Sequence, residues 1–134
     1  MIPVLCINDS EINLFLHKRM LLLSGITDKV ICLHDGQQAL DYYAKLRSEG
    51  GGEYPDLVIL DIHMPNVDGW DFLDEFIRSY LPHFPETRVI INSSTVDEEE
   101  IKRAKRYPIV IDFLTSQLTT DYLKGLELPA KLTK

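Results

Sequence analysis

Five short, mostly apolar runs recur along the chain, at residues 2–7, 29–33, 56–61, 88–92 and 109–114, each followed by a helical pattern. Runs this short that lack polar alternation read as strands covered on both faces. Parallel neighbours need a crossover between them, usually a helix and usually right-handed. The pattern therefore predicts an α/β fold, a doubly wound five-stranded parallel sheet. At 134 residues, such a chain can bury roughly two-thirds of its unfolded surface, enough for one core without staples.

The intervening helices are read from three- and four-residue spacing. After Ser10, which with Asp9 is a candidate cap, Ile12, Phe15, Leu16, Met20 and Leu23 form an apolar face, and Gly25 suits the stop. Leu14, Leu21 and Leu22 widen that face toward neighbouring helices or a dimerisation patch. Leu40, Tyr43 and Ala44 mark a helix over 37–48. A glycine-rich loop at 49–55 precedes the third strand. Trp70, Leu73, Phe76, Ile77 and Tyr80 mark the next helix, halted near Pro82 and Pro85. The fourth helix opens on Asp97, Glu98, Glu99 and Glu100 and carries Lys102, Arg103, Lys105 and Arg106 later, an order that complements its dipole. Ile101 and Ala104 are its core anchors, and residues 119–126 form a short last helix.

Fourteen Lys and Arg against 21 Asp and Glu give a net charge of −7, which opposes a phosphate backbone, so no direct nucleic-acid binding is expected. The absence of a long apolar window or signal-like N-terminus predicts a cytoplasmic protein with no membrane association. Cys6 and Cys32 read as small core residues, with a redox pair as the alternative because neighbouring strands could bring them close. His17, His34, His63 and His83 lack metal-ligand spacing and read as surface or loop residues. Trp70 and the tyrosines read as packing residues.

Ligands of such sheets bind beyond the carboxyl ends of the strands. The exits here are Asn8-Asp9, Asp61 and Ser93. Two carboxylates from separate strands, Asp9 and Asp61, suit a hard cation such as magnesium, although each could equally be a cap or a solvated loop acid.

The segment from Val58 to Gly69, which reads Val-Ile-Leu-Asp-Ile-His-Met-Pro-Asn-Val-Asp-Gly, resembles the phosphoacceptor strand and turn of response regulator receiver domains of two-component signalling. Cys6-Ile7-Asn8-Asp9-Ser10 resembles the family's acidic loop, and Ile90-Ile91-Asn92-Ser93-Ser94 its fourth strand with a switch hydroxyl. The resemblance implies the flavodoxin-like strand order 2-1-3-4-5, a receiver over 1–126 and a tail at 127–134. It makes Asp61 the acceptor of a phosphoryl group from a histidine kinase or phosphotransfer protein. It makes Asp9, Asp61 and the His63 backbone carbonyl the ligands of a weakly held Mg2+, with Asn8 contributing through water. Ser93 becomes the hydroxyl that bonds the phosphoryl group, and Phe113 the aromatic that follows its movement. His63 and Thr95 stand where phosphoryl lifetime is tuned. The face from the fourth helix to the fifth becomes a partner surface.

Two positions depart from the family pattern. Asn8 stands where an acid is usual, and Ser116-Gln117 where Lys-Pro is usual. Three acids and one lysine sum to −2, and Asp9 plus Asp61 alone also sum to −2, so total charge is kept while its placement changes. Three functions compete. The first is a single-domain phosphorylatable receiver, a phosphorelay intermediate or target-docking protein. It would be a phosphoacceptor rather than an enzyme, apart from slow self-catalysed phosphorylation and dephosphorylation. The second is a pseudo-receiver, an interaction module with a weakened or lost switch. The third, an aspartyl phosphatase, fits poorly because Asp61 has no second acid two residues on. Transcriptional output from this chain is not expected.

Overall fold

The computed structural model describes residues 3–50, 53–94 and 97–126. Strands β1 (Val4–Ile7), β2 (Val30–Leu33), β3 (Leu57–Leu60), β4 (Arg88–Asn92) and β5 (Val110–Leu114) form one parallel sheet in the order β2-β1-β3-β4-β5. Helices α1 (Glu11–Ser24), α2 (Gly36–Ser48), α3 (Gly69–Ser79), α4 (Glu98–Ala104) and α5 (Thr120–Lys124) alternate with the strands. The expected fold class and strand order are those observed. Thr95 and the expected tail at 127–134 lie outside the described residues. Among the described residues, no helix is long and apolar enough to cross a membrane.

Successive strand residues face opposite sides of a sheet, and here that alternation divides the core in two. Leu5, Ile7, Val58, Leu60, Val89 and Ile91 pack with Tyr43, Phe72, Phe76 and Ala104 on the α2, α3 and α4 side. Val4, Cys6, Leu57, Ile59 and Ile90 pack with Leu14, Leu21 and Leu123 on the α1 and α5 side. Each fully buried Leu or Ile contributes about 2 kcal/mol of transfer free energy. β1 and β3 carry no polar side chain because both of their faces are covered.

The apolar face of α1 differs from the sequence expectation. Leu14, His17, Leu21 and Ser24 point into the protein, whereas Ile12, Phe15 and Leu23 are 73%, 63% and 59% exposed and Leu22 is also exposed. The helix is apolar around most of its circumference, so spacing alone selects no unique face, and packing on the sheet and α5 decides it. The caps are as expected: the Ser10 Oγ accepts from the Asn13 N–H, and Gly25, at φ 80°, closes the helix in the left-handed region.

His17 is a second correction, because it is 3% exposed rather than a surface residue. Burial lowers its pKa, partly offset by the Asn92 side chain. Its Nδ1 has no hydrogen-bond partner among the described residues. A histidine lowered in the folded state costs nothing above its unfolded pKa of about 6.5. Below that value the unfolded chain binds the extra proton and folding stability falls. Urea unfolding of the native chain should therefore lose up to about 1.4 kcal/mol per pH unit as pH drops below ~6.5 from this group, and His17→Gln should flatten that part of the profile. An unchanged profile in His17→Gln would show that the ring is protonated without cost.

Candidate functional site

The parallel ladder continues one step past the strands and sets the site. Asn8 N–H donates to the Leu33 carbonyl at 3.1 Å, Asp61 N–H to the Ile7 carbonyl at 2.9 Å, and Ser93 N–H to the Leu114 carbonyl at 3.0 Å. These residues and Ser116 line one polar cavity of about 180 Å3 at the carboxyl edge of the sheet, with Asn13, Asn92 and Gln117 completing much of its wall. Among the described residues that line it, Asp61 is the only carboxylate.

Asp61 is half-buried, and burial pushes its pKa up. The His63 backbone N–H, 3.4 Å from the Asp61 Oδ1, pulls it down again, while the nearby Asp9 charge pushes it up. Asp9 is exposed and does not line the cavity, yet its field reaches Asp61. Asn8 is buried and its Oδ1 accepts the Ser10 N–H at 2.9 Å, so the amide holds the turn into α1. Ser93 is 4% exposed and its Oγ has no hydrogen-bond partner among the described residues. A buried hydroxyl left unpaired beside a carboxylate is an available donor for an incoming oxygen.

The loop that carries Asp61 into α3 is tightly built. Asn66 takes φ 66°, a conformation asparagine tolerates better than most residues. The Asp68 carboxylate accepts the Asp71 N–H at 2.8 Å, and Asp71 returns the bond to the Asp68 N–H, which pins the helix start. A Cβ on Gly69 would stand 2.7 Å from the Ile62 Cα and 2.8 Å from the Asp61 carbonyl, so only glycine permits this approach.

Phe113 is not brought to the cavity; it lines a separate groove between α4 and β5 with Ile101 and Ala104. Two contributors escaped sequence reasoning. The Asn92 amide donates to the Ser116 carbonyl at 2.8 Å and the Leu114 carbonyl at 3.3 Å, holding the loop after β5 over the site. A polar side chain ending an apolar strand was the available signal. Glu100 links the site loop to α4: it bonds His63 Nε2 at 3.0 Å and accepts the Trp70 indole N–H at 3.2 Å. Arg103 lies 4.6 Å over the Trp70 ring, and the Tyr107 ring stacks with it, centroids 5.7 Å apart. Spacing in the sequence offers no cue to that long-range pairing.

Asp9 and Asp61 carry carboxylate oxygens, a donor type that Mg2+ takes. Among the described residues, no group of three or more His, Cys, Asp or Glu side chains could hold a metal. A cation here would keep several waters, which suits Mg2+ better than a fully caged ion.

A sequence profile of the response regulator receiver domain matches residues 4–125. The chain belongs to that family. The receiver is 30% identical over 101 residues to the "Probable methanogenesis regulatory protein FilR2" of Methanothrix harundinacea, covering 75% of this chain and 63% of that protein. It superposes on a response regulator receiver protein from Dyadobacter fermentans with TM-score 0.78 and 30% identity, covering 92% of this chain and 93% of the other. Likeness to a two-component response regulator from Cytophaga hutchinsonii, at TM-score 0.82 and 24% identity over 92% and 91% of the chains, concerns the fold. The chain spans 63%, 32% and 13% of the first three curated relatives it matches. Receiver domains of this family are phosphoacceptors that work with histidine kinases or phosphotransfer proteins.

Replacing Glu100 strands the indole N–H of a tryptophan that is 5% exposed. Glu100→Ala should lower stability by about 1–2 kcal/mol in urea unfolding and shift Trp70 emission, while Glu100→Gln, which keeps an acceptor, should recover most of both.

Proposed function

We propose that this receiver accepts a phosphoryl group on Asp61 from a histidine kinase or phosphotransfer protein and signals through protein contacts on the α4-β5-α5 face. The observation that carries the reading is the Asp61 carboxylate sharing one polar cavity with the unpartnered Ser93 hydroxyl. An Asp61 oxygen attacks phosphorus in line with the departing imidazole nitrogen. The P–N bond breaks, an acyl phosphate forms on Asp61, and the donor ring retains the electron pair and takes up a proton. Ser93 then donates its hydroxyl to a phosphoryl oxygen, and the Asn92 amide keeps the Ser116 loop in place. Mg2+ held by Asp9, Asp61 and the His63 carbonyl would neutralise charge on the phosphoryl oxygens.

A cytoplasmic place of action goes with this reading, and the net charge of −7 argues against direct nucleic-acid contact. Asn8 and Ser116 favour a second reading, an interaction module that keeps the fold and loses the switch. Incubation with acetyl phosphate and Mg2+ should add one phosphoryl mass, mapped to Asp61 and abolished by Asp61→Asn. Label surviving that substitution would identify another acceptor. If acetyl phosphate and a panel of histidine kinases all leave the protein unmodified, the second reading replaces the first.

Asn8 and Ser116 line the same cavity as Asp61, so their charges should couple. Asn8→Asp should tighten Mg2+ and repel the donor, and Ser116→Lys should weaken Mg2+ and attract phosphoryl oxygens. At ~5 Å and an effective dielectric of ~20, a unit-charge pair interacts by roughly 3 kcal/mol before screening. A double-mutant cycle on Mg2+ affinity and phosphorylation rate should depart from additivity, with the double variant phosphorylating faster than either single one. Simple additivity would show that the positions act independently.

A further inference from the structure

Cys6 of β1 and Cys32 of β2 stand opposite one another in the parallel ladder. Both side chains pack on the α1 and α5 side of the sheet, and the two thiols are close enough to act on each other's ionisation. Cys6 is fully buried, whereas Cys32, on the edge strand, is only half-buried. We propose that the two form a redox couple, in which Cys32 is oxidised by a hydroperoxide and Cys6 resolves the product as a reversible disulfide between β1 and β2. This inference goes beyond the phosphoacceptor reading and does not depend on it.

The asymmetry of the pair assigns the roles. The neighbouring Cys6 thiol, with the charges of Lys18 and His34, holds the Cys32 thiol down to about 7 against burial. Cys6, fully buried on the central side of the pair, is shielded from oxidant. The Cys32 thiolate attacks one peroxide oxygen, the O–O bond breaks, and water or an alcohol leaves, giving the sulfenic acid. The Cys6 sulfur then attacks the Cys32 sulfur, the S–O bond breaks, and the hydroxyl departs as water with the Cys6 proton. Two thiols lose two electrons and the peroxide gains them. Cys6 needs no access to solvent, because its target is the residue opposite it in the ladder.

Neighbouring strands lie about 4.8 Å apart, within the roughly 4.4–6.8 Å that a bridge spans between Cα atoms. Side chains on parallel neighbours do not converge as a relaxed disulfide prefers, so the bond would be strained and easily reduced, a transient link rather than a structural staple.

The test treats the reduced, full chain with hydrogen peroxide and follows intact mass. The proposal expects loss of two hydrogens per chain, a peptide map linking the Cys6 and Cys32 peptides within one chain, and reversal by dithiothreitol. Cys32→Ser should leave Cys6 unmodified, and Cys6→Ala should let dimedone trap the sulfenic acid on Cys32. Circular dichroism of both variants confirms that the fold is kept. Accumulation of sulfinic acid on Cys32 in the native chain without the two-hydrogen loss would overturn the proposal. So would native thiols that survive peroxide sufficient to oxidise free cysteine.

Discussion

The in-register pairing of β1 with β3 is the constraint on which the rest of the molecule depends. Val4 to Ile7 match Leu57 to Leu60 residue for residue, and the bond from Asp61 N–H to the Ile7 carbonyl extends the ladder past both strands. A slip of one residue would exchange every side chain between the two faces of the sheet, undoing both core clusters together. Register is therefore protected by the burial of eight apolar side chains. The polar loops inherit that precision: Asn8 and Asp61 leave adjacent strands at the same height, so their juxtaposition requires no affinity between the loops themselves.

Electrostatics in the cavity follow from what the loops bring there. One carboxylate faces a wall of amides and hydroxyls, and the second acid, Asp9, acts from outside the lining. Where the family usually places a lysine, the protein has Ser116, whose backbone carbonyl is held by Asn92. The loop position is thus secured by a neutral hydrogen bond rather than by an ammonium reaching the site. The same Asn92 side chain influences the buried His17 ring of α1, raising its pKa against the effect of burial.

The parts legible in the sequence are those governed by local rules. Strands covered on both faces are continuous apolar runs, and the turn from Met64 to Gly69 needs an asparagine at positive φ, an acidic cap and a glycine against Ile62. The orientation of α1 was not legible. Its leucines surround the helix, and the short α5 covers only one side, so tertiary packing selects Leu14, His17 and Leu21 and leaves Ile12 and Phe15 in solvent. In the sequence, Glu100 belongs to the acidic first turn of α4, where its negative charge suits the dipole. Its bonds to His63 and Trp70 span 37 and 30 residues, and no sequence period encodes a polar contact at that range.

That polar contact changes how α4 is held. Ala104 is the only fully buried residue in this seven-residue helix, so apolar burial contributes little to its attachment. Glu100 and Arg103 attach it instead to Trp70, and Tyr107, just beyond the helix, stacks on the same ring and donates its hydroxyl to Asp74 at 2.7 Å. Hydrogen bonds and ring contacts of this kind contribute about 1 kcal/mol each and break at a well-defined separation, whereas an apolar core resists displacement over its whole area. An element held by so few contacts belongs to the less stable part of a fold. His63 lies two residues after Asp61 and shares the Glu100 carboxylate with Trp70, so the loop that carries Asp61 and the contact that fixes α4 are joined through one side chain.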